Sequence, residues 1–179
     1  MSEVSKEYGR ALYELAVEDG CEGEYLAELR DIELILSKNP EYVRLLSVPN
    51  ISAGERTQMV EDCFGGKCRE YTVSFLKIMT ERGYASEIRA SIGEFEELYC
   101  RSHGIVRALC VSAVPLTEVQ RAELIKKLEA HTKKQVELSE RTDSSLIGGI
   151  RVEIDGKLFE GSIRSRLDKM RSDMSKTIL

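Results

Sequence analysis

The spacing of apolar residues changes at Gly104, and this change limits the folds that the chain can adopt. Before Gly104, apolar side chains recur every three or four residues, which is the period of an amphipathic helix. After it, residues 105–114 (IVRALCVSAV) are β-rich and nearly all apolar, as in a strand covered on both faces. The sequence therefore predicts an α+β protein with two domains, residues 1–104 and residues 105–179.

Residues 1–104 are predicted to form six helices with short connections, which is typical of a helical bundle. The predicted helices are residues 3–19, residues 23–38, a short helix after Asn39-Pro40, a helix from Ser52 to Gly65-Gly66, residues 68–82 and residues 85–102. Asn39 suits an N-cap and Pro40 the first helical position. Ser52 with Glu55 forms a capping box, which predicts where the fourth helix begins.

Residues 105–179 are predicted to form a small α/β domain that consists of a βαβ unit, a hairpin and a final helix. Thr117 with Gln120 is a second capping box, and its helix separates the first strand from the alternating residues 136–138. A further strand is predicted over residues 146–154. The remaining elements are a tight turn at Asp155-Gly156, a return strand from Lys157 to Glu160, and a helix capped by Ser162 with an apolar seam of Ile163, Leu167, Met170 and Met174.

The two predicted domains differ in charge. Residues 1–104 carry 20 acidic and 12 basic side chains, whereas residues 105–179 carry 11 acidic and 14 basic ones. Such asymmetry suggests that the two halves face different partners. The basic side chains of the final helix leave nucleic-acid binding as an alternative, although no aromatic residues are interleaved with them.

The N-terminal sequence MSEVSKEYGR has no apolar signal core, and no run of about 18 apolar residues could span a bilayer. We therefore expect a cytosolic chain. Its cysteines form no CxxC pair and are expected to be reduced thiols. These cysteines are Cys21, Cys63, Cys68, Cys100 and Cys110.

Four glycines between Leu146 and Leu167 suggest a phosphate-binding loop as one interpretation. Such a loop places its glycines between a strand and a helix N-terminus and adds a Lys-Ser/Thr pair. Gly148-Gly149 lies early in a predicted strand instead, and Gly161 has no lysine at motif spacing. Glycine within a strand more often marks a bulge or a close backbone approach, so nucleotide binding stays the less favoured alternative.

Candidate catalytic and metal-binding residues are few. His103 and His131 form neither HxxxH nor HExxH, and each lies near a predicted helix C-terminus, where a cation is favoured. Cys63 and Cys68 are five residues apart with no histidine at zinc spacing. We therefore predict no catalytic residue, no cofactor and no metal, and a protein built for contact with partners.

The first and fifth predicted helices carry more apolar positions than a single stripe needs. Leu12 and Ala16 widen the stripe of the first helix, and Val73 and Leu76 widen that of the fifth. Greater burial would explain both helices, and so would a groove that accepts a partner's helix. The pattern leaves the two explanations open.

Three stretches resemble the delta subunit of bacterial F-type (rotary) ATP synthase, a family related to the mitochondrial oligomycin-sensitivity-conferring protein. YGRALYELAVEDG (8–20) resembles the family's opening helix, and FLKIMTERGY (75–84) resembles its fifth helix. Residues 143–167 are similar to its C-terminal signature, which includes the run EGSIR at residues 160–164. The resemblance covers nearly the whole chain, in order.

The resemblance implies a non-catalytic stator subunit of the proton-translocating synthase, so that rotation is coupled to ATP synthesis. It implies that the N-terminal domain holds the N-terminal helices of the alpha subunits on the catalytic head, one of them in a groove between the first and fifth helices. The C-terminal domain would bind the b subunits of the peripheral stalk. The implied groove residues are Tyr8, Ala11, Leu15, Phe75 and Ile78.

The same resemblance implies a peripheral location at the cytoplasmic face of the cell membrane, with neither nucleic-acid binding nor membrane insertion. One position departs from the family pattern, because Gly9 stands where the family more often has alanine. A glycine within a helix costs about 1 kcal/mol relative to alanine. We expect Gly9 either to loosen the first helix or to allow a closer approach of the partner.

Overall fold

Seven α-helices and a four-stranded sheet form the described part of the computed structural model, which comprises residues 2–48, 50–146, 148–154 and 157–160. This mixture of helices and a small sheet confirms the predicted α+β class. Contacts within the chain divide it into two units, Met1–Tyr99 and Cys100–Leu179.

The first unit consists of helices. They are α1 (Glu3–Glu18), α2 (Glu22–Lys38), α3 (Pro40–Leu46), α4 (Ala53–Phe64), α5 (Glu70–Glu81) and α6 (Ile88–Ser102), and α6 runs on past the boundary of the unit. The single helix predicted over residues 85–102 is wrong at its start, because Ala85–Glu87 form a separate 3-10 turn. The other predicted helices lie within two residues of the observed ones at each end.

Local hydrogen bonds explain where α4 begins and where α2 ends. At the start of α4, the Ser52 N–H donates to the Glu55 carboxylate (3.0 Å) and the Glu55 N–H donates to the Ser52 hydroxyl (3.2 Å), which confirms the predicted capping box. Asn39 occupies the N-cap position of α3, but its side chain does not cap that helix. It donates backwards to the carbonyl of Ile35 (2.8 Å), so the expected cap is wrong and Asn39 closes α2 instead.

The core of the first unit is one continuous apolar cluster. Its largest fully buried side chains include Tyr25, Leu29, Ile32, Leu46, Leu76, Met79, Ile88, Ile92 and Phe95. Arg69 ties α2 to the start of α5, because its guanidinium lies 5.3 Å from the Tyr25 ring centroid and forms ion pairs with Glu24 and Glu28. Glu28 also accepts a hydrogen bond from the buried Thr72 hydroxyl at 3.1 Å.

The second unit contains β1 (Ile105–Ser112), α7 (Glu118–Thr132), β2 (Gln135–Thr142), β3 (Ile150–Ile154) and β4 (Lys157–Glu160). The strand order is β2-β1-β3-β4. Strand β1 pairs with β2 in parallel, which confirms the predicted βαβ unit, and β3 pairs with β4 in antiparallel fashion. The capping box that begins α7 is also confirmed, with the Thr117 N–H donating to Gln120 at 3.0 Å.

Two strand predictions are wrong in detail. The strand predicted from Leu146 begins only at Ile150. Leu146 is buried in the preceding turn, and Gly149 has a φ of 83°, a backbone conformation that glycine adopts without steric cost. Strand β2 is longer than the three residues predicted for it. The Asp155-Gly156 turn and the helix predicted after Ser162 lie outside the described residues.

The sheet packs its core on one face. Seven buried residues from β1, β2 and β3 form this cluster: Val106, Ala108, Cys110, Val136, Leu138, Val152 and Ile154. Leu124, Ile125 and Leu128 of α7 pack against it. Arg107 is exposed and Leu109 is half-buried on the other face of β1, so the expectation of a strand covered on both faces is wrong for its first half.

Candidate functional site

Helix α1 presents an apolar flank beside its buried face. Tyr8, Ala11 and Leu15 are three or four residues apart and therefore share one side of the helix. Tyr8 is half-buried, Ala11 is exposed, and Leu15 retains 36% of its surface. Leu12 and Ala16, one position further along, turn into the core. The exposed flank is thus separate from the residues that hold α1 in the fold.

Helix α5 presents a similar apolar flank. Tyr71 and Ile78 are two turns apart and retain 43% and 42% of their surfaces. Phe75, one turn from each, is only 5% exposed and belongs to the core cluster. Of the residues that the resemblance implied for this helix, Ile78 is therefore open to a partner, whereas Phe75 lies beneath the surface.

Helices α1 and α5 contact each other, which places the two flanks on neighbouring elements. The ring centroid of Tyr8 lies 6.5 Å from that of Tyr84, which follows α5, with an interplanar angle of 53°. The Ser2 hydroxyl, at the start of α1, donates to the Glu87 carboxylate at 2.7 Å. These two contacts hold the first half of α1 against the segment that follows α5.

The apolar positions that first suggested a groove have another explanation. Leu12, Ala16, Val73 and Leu76 are all buried in the core, with at most 7% of their surfaces exposed. Burial therefore accounts for the widened stripes, and these residues give a groove no support. The exposed residues that could contact a partner, Leu15, Tyr71 and Ile78, lie beside the stripes. A sequence pattern alone did not separate the two sets.

Gly9 lies on the opposite side of α1, against α6. A Cβ atom at this position would come within 2.5 Å of the Ser91 carbonyl oxygen and 2.8 Å of the Glu94 Cβ. Next to it, the Tyr13 ring packs edge-on against Phe95 with 5.4 Å between centroids. The expectation that Gly9 admits a partner is therefore wrong, because α6 occupies that side of α1. A loosening of α1 by Gly9 stays a prediction.

A protein-family model described as "ATP synthase delta (OSCP) subunit" matches residues 4–174 of the chain. The chain belongs to this family. ATP synthase subunit delta of Clostridium kluyveri is 31% identical over 173 residues, with 97% of this chain and 96% of the relative covered. The subunit from Clostridium perfringens strain SM101 is 32% identical and covers 97% of each chain.

The fold is also similar to a chain in a cryo-EM structure of the Toxoplasma gondii mitochondrial ATP synthase hexamer. The TM-score is 0.78 at 15% identity, and the match covers 97% of this chain and 98% of that one. At this identity the similarity shows a shared fold along nearly the full length. As a member of the family, the chain is a non-catalytic stator subunit of ATP synthase, and nothing in these comparisons favours the nucleic-acid alternative.

The thiols of this delta-family chain fit structural roles. None of the five cysteines forms a disulfide, and Cys100 and Cys110 are buried. Burial, followed by the charge of Glu140, raises the pKa of the Cys110 thiol, and burial with nearby Glu28 does the same for Cys68. A raised pKa disfavours the thiolate, which is the nucleophilic form. Neither of these two thiols has the environment of a catalytic cysteine.

The remaining candidate sites gain no geometric support. Gly148 and Gly149 lie in a bend that leads into β3 rather than at the start of a described helix, so a phosphate would find no helix N-terminus there. Across the described ranges, no group of three or more histidine, cysteine, aspartate or glutamate side chains could hold a metal ion. Within the same ranges, no helix is both long and apolar enough to cross a membrane.

Proposed function

We propose that this subunit fastens the catalytic head of the synthase to its peripheral stalk through two separate contacts. Residues 1–104 act as a six-helix bundle that holds the N-terminal helices of the alpha subunits, one of them in the groove between α1 and α5. Residues 105–179 bind the b subunits. The complex keeps the chain at the cytoplasmic face of the membrane, as a peripheral part of the assembly.

The observation that carries the first contact is the pair of exposed apolar flanks on neighbouring helices. Tyr8, Ala11, Leu15 and Ile78 would line the groove, and Phe75 would form its floor. Covering the exposed part of a large apolar side chain gains on the order of 1 kcal/mol. An amphipathic helix laid between the flanks would bury several such side chains together, which is the usual mode of helix-in-groove recognition.

The second unit offers apolar surface of its own. A groove of about 250 Å³ beside α7 is lined by Leu116, Leu124 and Ile150 together with polar residues of the helix. Val119 is 70% exposed on the same helix. Two contacts joined in one chain strengthen each other, since the first raises the effective concentration for the second. Such a linkage suits a tether that must resist torque without turnover.

The groove can be tested with two substitutions on the same helix. Leu15→Asp should weaken capture of a peptide from the alpha-subunit N-terminus at least about tenfold, because it puts a charge on the apolar flank. Val17→Asp is the matched control, since Val17 is 47% exposed but lies on another side of α1. Calorimetric titration of both variants, together with Tyr8→Asp, measures the effect. Equal affinities for the Leu15 and Val17 variants would rule out the groove.

A further inference from the structure

We propose that the helix held between α1 and α5 carries basic side chains along its polar edge, which pair with a row of carboxylates on α1. This inference rests on the proposed function and adds the chemistry of the occupant. The row consists of Glu7, Glu14 and Glu18 and is called the acidic edge below.

The acidic edge borders the apolar flank along the whole of α1. With about 3.6 residues per turn, positions four before, three after and seven after Ala11 all lie close to its side of the helix. These positions are Glu7, Glu14 and Glu18. A helix that covers Ala11 and Leu15 would therefore place one polar border beside all three carboxylates.

The three carboxylates are exposed, and none forms an ion pair with another residue in the described ranges. Some carboxylates elsewhere in the unit have cationic partners: Glu33 is paired with Arg89, Glu61 with Lys77, and Glu96 with Arg30. Glu7, Glu14 and Glu18 are distinguished by lying in one row beside the apolar flank, where a bound helix could pair with them.

The surrounding charges also favour a basic occupant. Lys6 and Arg10 are the only basic residues of α1, against four glutamates in the helix. At the end of α5 the exposed Glu81 is offset by the neighbouring exposed Arg82, so the excess of negative charge comes from α1. Exposed ion pairs contribute modestly to affinity, but complementary charge raises the association rate and disfavours partners with the wrong sign.

The test uses the full-length protein and three synthetic helical peptides that share one apolar face and carry lysine, glutamine or glutamate along the polar edge. The lysine peptide should bind tightest, and its affinity should fall as salt rises from about 0.05 M to about 0.5 M, because salt screens exposed charges. The triple variant Glu7→Gln, Glu14→Gln, Glu18→Gln should bind the lysine peptide about three- to tenfold more weakly than the wild type does. Its affinity for the glutamine peptide should equal that of the wild type.

A matched triple variant controls for net charge. Asp31→Asn, Glu41→Gln and Glu118→Gln remove three exposed carboxylates from α2, α3 and α7, and this variant should bind like the wild type. Equal binding of all three peptides, with sensitivity to Leu15→Asp retained, would overturn the acidic edge and keep the groove. Preference for the glutamate peptide would also overturn it. If no peptide binds the wild type, both the groove and its acidic edge are wrong.

Discussion

Replacing Gly9 with alanine would have two opposing effects on the stability of the fold. Alanine would favour the helical state by about 1 kcal/mol, but its Cβ would lie 2.5 Å from the Ser91 carbonyl oxygen. That oxygen belongs to the backbone of α6 and cannot rotate away. The two helices would have to separate, and overpacking of this kind typically costs about 1–3 kcal/mol.

We therefore expect Gly9→Ala to lower the free energy of unfolding by about 1 kcal/mol, as measured by urea denaturation. Gly93→Ala is the matched control, because a Cβ at Gly93 in α6 would meet nothing within 4 Å. The control should raise the free energy of unfolding by several tenths of a kcal/mol or more. Equal stabilisation by both substitutions would contradict the close approach of α1 and α6.

At single positions, the sequence identified which residues form the apolar stripe of a helix but not which of them are buried. Leu12 and Leu15 are both leucines and lie on the same predicted stripe. In the structure, Leu12 is 3% exposed and Leu15 is 36% exposed. The difference depends on which neighbouring helices cover each side of α1, and periodicity within one helix does not contain that information. For the same reason, the sequence could not show that Gly9 faces α6.

At the scale of elements, the contribution of the α4 capping box to stability can be measured directly. Ser52→Ala should lower the free energy of unfolding by about 1 kcal/mol, since it leaves the Glu55 N–H without its acceptor. Thermal or urea unfolding of the variant measures this loss. Thr57→Ala, at a half-buried position on α4, is the control and should change stability less, because the Thr57 hydroxyl only donates to the Gly54 carbonyl. A loss no larger than the control's would contradict the cap.

The same box should depend on pH. Hydrogen bonds from the Ser52 hydroxyl and backbone hold the pKa of Glu55 below its usual value. A carboxylate with a lowered folded pKa stabilises the fold above its unfolded pKa, about 4.3, and that contribution is lost as pH falls through the folded pKa. The stability difference between wild type and Glu55→Gln should therefore shrink below about pH 4. A difference independent of pH would contradict this account.

The sequence predicted the ends of helices correctly where hydrogen bonds between residues close in the chain determine them. Capping boxes at Ser52 and Thr117 predicted two helix starts because the hydrogen bonds involved are made within four residues. The start of β3 was wrong because Leu146 is apolar but buried in a turn, so a run of apolar residues extended the predicted strand. Asn39 failed as a cap because its amide bonds to the preceding helix.

At the scale of the whole molecule, the five thiols report on both units at once. Cys63 is exposed, Cys21 and Cys68 are half-buried, and Cys100 and Cys110 are buried. We expect a thiol reagent at neutral pH to modify Cys63 first, and Cys100 and Cys110 only after denaturant is added. Cys68 should react more slowly than its half-buried position alone would suggest, because its pKa is raised.

Mass spectrometry of labelled peptides would follow each site over time. Cys63→Ser should remove the fastest phase and leave the other rates unchanged, which makes it the internal control. Labelling of native Cys110 at the rate of Cys63 would show that the core of the sheet is open, contrary to the structure.

The central position of β1 has a consequence for the order of folding. Its parallel partner, β2, ends at Thr142 and its antiparallel partner, β3, ends at Ile154, so both edges of β1 stay unpaired until the chain has been made that far. The helices of the first unit need no residue from β2 or β3 and can form earlier during synthesis. Strand β1 therefore has two open edges until residue 142 has been made, and one open edge until residue 154 has been made. An unpaired apolar strand favours aggregation, so the nascent chain is exposed to that risk during this interval.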